Sequence, residues 1–170
     1  MKPYACPLEA TNSHCQLFIL PSMRLSEEEH RLAAETSIKY RGTACIALEA
    51  LTFAYEADER NVMRLKQLFK KNGCNRLDVR NHVPAVISQE QLDIAIRHSK
   101  TTAKALMDSC HTRESLVELT FPAHVRLQCL HGLDRVRAAT GILSPAEKYW
   151  IVDLYLEGRK SSLLAQPHSF

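Results

Sequence analysis

The stretch His124-Val125-Arg126-Leu127-Gln128-Cys129-Leu130-His131-Gly132-Leu133-Asp134-Arg135-Val136-Arg137-Ala138-Ala139-Thr140-Gly141 decides how this chain is read. Residues 124–130 alternate polar with apolar side chains until Leu130, the period of a half-buried strand. Val136, Ala138 and Ala139 then follow in helix-favouring sequence, and Gly141 supplies a stop. Gly132 stands between the two, so the order is strand, tight glycine turn, short helix. A glycine delivered to the first turn of a helix lets backbone N–H groups approach an anion, and the helix dipole favours negative charge there. Arg135, three residues on, is spaced to turn back along that first turn and offer a phosphate two donors at once.

Upstream, Val83-Pro84-Ala85-Val86-Ile87 reads as a short strand with its proline near the start, where a missing donor is tolerated. Ser88 and Gln91 form a capping-box pattern for a helix from Gln89 to about His98, with a further helical stretch over 103–109. Val62, Leu65 and Phe69 share one helical face between Asp58, a candidate cap, and Gly73, a candidate stop, which predicts a helix over 58–72. Cys45-Ile46-Ala47-Leu48-Glu49-Ala50-Leu51-Thr52-Phe53 reads as one strand. Ser26 with Glu29 predicts a helix over 27–39. Downstream, Tyr149-Trp150-Ile151-Val152-Asp153-Leu154-Tyr155-Leu156 is rich in aromatic and β-branched residues and is the strongest strand signal; Trp150 is expected in the core. Strands mixed with helices make an α/β (α+β) domain, a compact mixed sheet with flanking helices. The organisation expected is an N-terminal leader and helix over 1–41, a domain over 42–157 and a tail over 158–170.

The chain has 170 residues, 45% hydrophobic and 24% charged, which fits one globular core. Six cysteines at positions 6, 15, 45, 74, 110 and 129 include no C-x-x-C pair, so neither a disulfide framework nor a common zinc module is supported. Cys110-His111 and Cys129-x-His131 do not match structural zinc spacings, and no metal site is expected. The first residues lack a secretory apolar run, and no stretch is long and apolar enough to span a bilayer. An intracellular protein, nuclear or cytoplasmic and without a membrane partner, is expected. Glu49, Glu56, Asp58 and Asp153 form no metal-nuclease signature. A net charge of +3 does not by itself imply nucleic acid. Locally, however, Arg60, Arg64, Lys66, Lys70, Lys71, Arg76 and Arg80 outnumber Asp58, Glu59 and Asp78 between 57 and 80.

The whole order, strand 45–53, helix 58–72, Pro84 opening a strand, strand 124–130, Gly132-x-x-Arg135-x-x-Ala138-Ala139 and strand 149–156, resembles the ParB/sulfiredoxin fold. More closely, Gly73-Cys74-Asn75-Arg76-Leu77, Asn81-His82-Val83-Pro84-Ala85-Val86-Ile87, Cys129-Leu130-His131-Gly132 and Trp150 through Leu156 resemble a fungal domain-of-unknown-function family. Its members are often transposon-associated, and the similarity covers roughly residues 42–157. Members tend to be much longer, which implies that this chain is a shortened form. The resemblance implies a nucleoside triphosphate with magnesium, Gly132 and the following amides on the phosphates and Arg135 as the clamp. His131 and Asp134 are the neighbouring candidates, and Arg76 and Arg80 the secondary phosphate contacts. Sulfiredoxin chemistry would need a cysteine where Leu133 stands, and Cys129 is expected to pack in the core.

Two functions are therefore expected. One is a ParB-like nucleotide-binding domain of a DNA-associated, mobile-element-linked protein, with self-association into a homodimer as a corollary. The other is a non-enzymatic protein- or DNA-interaction domain with a degenerate nucleotide site. The second is supported by Leu133 and Asp134, which occupy positions where ParB-like turns usually carry charged or histidine residues.

Overall fold

The computed structural model describes residues 26–108 and 116–158. The expectations for the leader before residue 26, for Ser109, Cys110 and His111, and for the tail from 159 lie outside them. Helix α1 (Glu27–Lys39) starts at the capping box of Ser26 and Glu29. Strand β1 (Tyr40–Ala47) follows directly, then a single 3-10 turn (Leu48–Ala50) and strand β2 (Leu51–Phe53). Helix α2 (Glu59–Asn72) is capped by the Asp58 carboxylate, which accepts from the amides of Arg60 and Asn61, and ends at Gly73. Strand β3 (Val83–Ile87), helix α3 (Gln89–His98) and helix α4 (Ala103–Met107) come next. Strands β4 (Val117–Glu118) and β5 (Leu127–Cys129) precede helix α5 (Leu133–Thr140), and β6 (Tyr149–Leu156) completes the domain.

The six strands form one mixed sheet in the order β2-β5-β3-β6-β1-β4. β6 lies at its centre, antiparallel to β1 and parallel to β3. Two expectations are corrected. The run 45–53 is not one strand: it breaks at Leu48–Ala50, and its halves join the sheet four places apart. The break is held by a long-range bond, the Leu48 amide donating to the Lys148 carbonyl at 3.0 Å. The strand expected over 124–130 shrinks to 127–129, because the Val125 amide donates to the Pro122 carbonyl and closes a turn ahead of it.

The core lies on one face of the sheet. Ala44, Ile46, Val83, Ala85, Ile87, Trp150, Val152 and Leu154 meet Val62, Leu65 and Phe69 of α2 and Val136, Ala138 and Ala139 of α5 in one buried cluster. Alternation along the strands sends these residues to the same side. Trp150 is buried against the Phe69 ring, and its indole N–H donates to the Asn81 carbonyl at 2.8 Å. Both the apolar ring and its polar edge are thus satisfied. At the start of β1, Gly42 has φ +114°, and any Cβ there would collide with the Leu106 carbonyl of α4, so only glycine lets the two backbones meet. No helix among the described residues is long and apolar enough to cross a membrane.

Candidate functional site

β5 delivers the chain through Leu130 and His131 to Gly132, which is left-handed (φ +99°, ψ 6°) and stands at the start of α5 without a side-chain cap. His131 is exposed. The turn therefore has the strand, glycine and helix order anticipated for it, and Gly132 is required for a second reason. A Cβ at this position would come within 2.7 Å of Val83 Cγ2.

The side chains around the turn are committed to the protein itself. Asp134 Oδ1 accepts from the Asp58 amide at 3.0 Å and Oδ2 from the Asn61 side-chain amide at 2.7 Å. Its carboxylate thus fastens the start of α5 to the start of α2, where the positive end of the neighbouring dipole suits it. Asn61 passes the connection on by accepting from Arg64 Nη2 at 2.8 Å. Arg135 Nη1 points to the Arg80 carbonyl at 3.3 Å, in the loop before β3. The Leu133 amide faces the Tyr55 hydroxyl at 3.4 Å. A cleft of about 500 Å³ opens beside Leu133, and Glu56, Glu59 and Arg137 line it. Arg137 is already paired with Glu59 at 2.7 Å, so a phosphate entering there would meet net negative charge.

The two secondary candidates are separate from the turn and from each other. Arg76 is nearly buried, its guanidinium 3.9 Å from the centre of the Tyr149 ring, and it donates to the Glu147 and Tyr149 carbonyls at 2.7 and 3.2 Å. It clamps the segment that leads into β6. Arg80 is exposed and grips Asp78 with two bonds, Nε to Oδ1 at 3.0 Å and Nη2 to Oδ2 at 2.6 Å. That hydrogen-bonded pair holds the Asp78 carboxyl down at about 2. Only the Arg80 backbone approaches the turn, through Arg135. Cys129 is buried, and burial pushes its thiol up to about 12, the opposite of what a nucleophile needs. Among the described residues no group of three or more His, Cys, Asp or Glu side chains could hold a metal ion.

Sequence reasoning passed over a polar chain on the other face of the sheet. Register places Thr43 of β1 opposite Asp153 of β6, and Pro84 of β3 opposite Asp153 on its other side. His82, two residues before Pro84, therefore shares their face. Thr43 Oγ1 donates to Asp153 Oδ1 at 2.6 Å, and His82 Nδ1 lies 3.1 Å from the same oxygen. The Tyr40 hydroxyl is 2.7 Å from Thr43 Oγ1. Because the threonine proton is given to the carboxylate, the tyrosine is the donor in that bond. Thr43 and His82 are 1% and 4% exposed, the two buried polar side chains among the described residues. A carboxylate within the apolar run 149–156 was the available signal.

No curated protein matches the chain, and no solved structure does. A protein-family model matches residues 39–166, which take in every strand, the glycine turn and the polar chain around Asp153. On that match the chain belongs to the family described as "Protein of unknown function (DUF3723) N-terminal domain".

Proposed function

We propose that this chain is a non-enzymatic interaction domain that meets the phosphate backbone of nucleic acid along the outer face of α2. The observation that carries the reading is the composition of that face. Arg60, Met63, Arg64, Gln67, Lys70 and Lys71 are all exposed and recur at spacings of three and four, opposite the buried Val62, Leu65 and Phe69. On this face four cations and no acid occur in the twelve residues from Arg60 to Lys71, roughly 16 Å of helix. An unbroken stripe of one sign is what counterion release from a polyanion rewards, whereas a merely solvated helix mixes its charges. DNA is the polyanion that the transposon association implied by the sequence resemblance would present, and such a role belongs inside the cell.

Equilibrium binding to a fluorescent DNA duplex over a salt series tests this. Four phosphate contacts predict a slope of log K against log salt near about −3.6. Arg64→Glu combined with Lys71→Glu should flatten that slope by about 2 and weaken binding at low salt. Affinity independent of salt, or unchanged in the double variant, would reject the reading. Tighter binding to an acidic polypeptide than to DNA would replace nucleic acid with a protein partner.

Nucleotide binding at the turn is the second reading, favoured by the left-handed Gly132 at the start of α5. The commitments of Asp134 and Arg135 within the protein weigh against it. Thermal shift with nucleoside triphosphates and magnesium separates the two, since a ligand at about 100 times its dissociation constant adds about 2.7 kcal/mol to stability. The interaction reading expects a flat panel.

A further inference from the structure

The sheet face opposite the main core is covered in part by α1, and between them lies a cleft of about 550 Å³. Ala33, Thr36 and Ser37 form its helical wall, and their small side chains leave the space in front of β6 unfilled. Tyr40 and Tyr155 form its other side, with ring centres 5.5 Å apart and planes tilted by 53°. Asp153, two residues before Tyr155 on the same strand face, is also part of the lining, its side chain 19% exposed. Among the described residues no lysine or arginine side chain lines the cleft.

Asp153 is built into place. Oδ1 is fixed by Thr43 from one strand and His82 from the loop before another, and Tyr40 braces Thr43 in turn. Among the described residues no hydrogen bond to Oδ2 is seen, so the carboxylate keeps an acceptor while its orientation is locked. A carboxylate whose other oxygen is satisfied from behind is pre-organised for a donor coming from the front. The flanking phenol rings add the negative faces that attract a cation. The Tyr155 phenol is raised from its usual range, by burial first and then by the negative charge of Asp153.

We propose that the cleft between α1 and β6 binds an alkylammonium group, the end of a lysine side chain in native or methylated form, with Asp153 accepting its N–H and Tyr40 and Tyr155 flanking its carbon shell. A compact ammonium on an aliphatic stem suits an open, largely apolar cleft with one acceptor. A guanidinium would bring a planar fork with five donors to a single free oxygen. This site is separate from the basic face of α2, and either can fail without the other.

The test is an NMR titration of the full-length chain with end-blocked lysine and end-blocked dimethyl-lysine. End-blocked norleucine is the neutral isostere and end-blocked arginine the rival cation. Saturable shifts at Tyr40, Asp153 and Tyr155 with the two amines, and none with norleucine, are expected. Asp153→Asn preserves an oxygen for Thr43 and His82 but removes the charge, and should weaken amine binding about tenfold or more. Tyr155→Leu, at a partly exposed position, should weaken it about fivefold while leaving the polar chain in place. If the asparagine variant does not fold, the leucine variant decides. Equal response to norleucine, tighter binding of arginine, or undiminished affinity in the folded variants would overturn the proposal.

Discussion

The Cγ2 methyl of Val83 occupies the space that any side chain on residue 132 would need, 2.7 Å from where its Cβ would stand. Val83 is itself fully buried at the start of β3 and cannot withdraw. Gly132→Ala therefore meets both a left-handed backbone, about 1–2 kcal/mol for an L-residue, and an overpacked contact, about 1–3 kcal/mol. Urea unfolding of this variant should show a loss of about 2–5 kcal/mol with an unchanged m-value. A change under about 0.5 kcal/mol would mean that the turn relaxes without strain.

Asp134 joins two helix starts. Asp134→Ala frees the Asp58 amide and the Asn61 side chain together, and should cost about 1–2 kcal/mol because the bonds lie at a partly exposed position. Asp134→Asn retains one acceptor and should fall between the alanine variant and the parent. Chemical denaturation measures the ranking, and an alanine variant as stable as the parent would refute the linkage.

Arg76 is a structural guanidinium. It donates to two carbonyls and stacks on Tyr149, so Arg76→Ala should destabilise by about 2–3 kcal/mol, and Arg76→Lys should recover only part of that. The thermal midpoints of the two variants check it. A lysine variant equal to the parent would show that charge alone matters there.

Cys129 predicts both a reactivity and a pH limb. Its thiol is buried with its pKa raised to about 12, so it should resist maleimide in the folded protein and react once the chain unfolds, as peptide mapping would show. The native state holds this proton at pH values where the unfolded chain has already lost it. Stability should therefore begin to fall as pH rises through the ordinary thiol value of 9.0 and go on falling toward about 12. Cys129→Ala should remove the part of the alkaline limb that this thiol contributes, whatever it costs in packing.

Local signals placed the elements whose caps and periods are written close together. Ser26 with Glu29, Asp58 ahead of Val62, and Ser88 with Gln91 each satisfy their own helix start within three or four residues. The break at Leu48–Ala50 escaped because its partner, Lys148, is a hundred residues away, and the apolar run across it is continuous. β4 escaped because two residues carry no period. At the turn, Gly132 was legible as backbone geometry. The destinations of Asp134 and Arg135 were not, since both depend on how α2 and the loop at Arg80 dock. Asp153 was visible only as an acid among apolar neighbours; its company of Thr43 and His82 comes from strand register, which no short window contains.

The short link at Leu48–Ala50 dictates the shape of the sheet. β1 and β2 are four places apart, about 19 Å across a flat surface at usual strand spacing. The four residue steps from Ala47 to Leu51 reach at most about 14 Å. A flat arrangement is geometrically forbidden, so the strands must roll until β2, at one rim, and β1, one place in from the other, are drawn together by this one crossing. The two strands then hold or release together: cutting or lengthening the crossing would let the curl relax, where a nick in an ordinary hairpin would free a single strand.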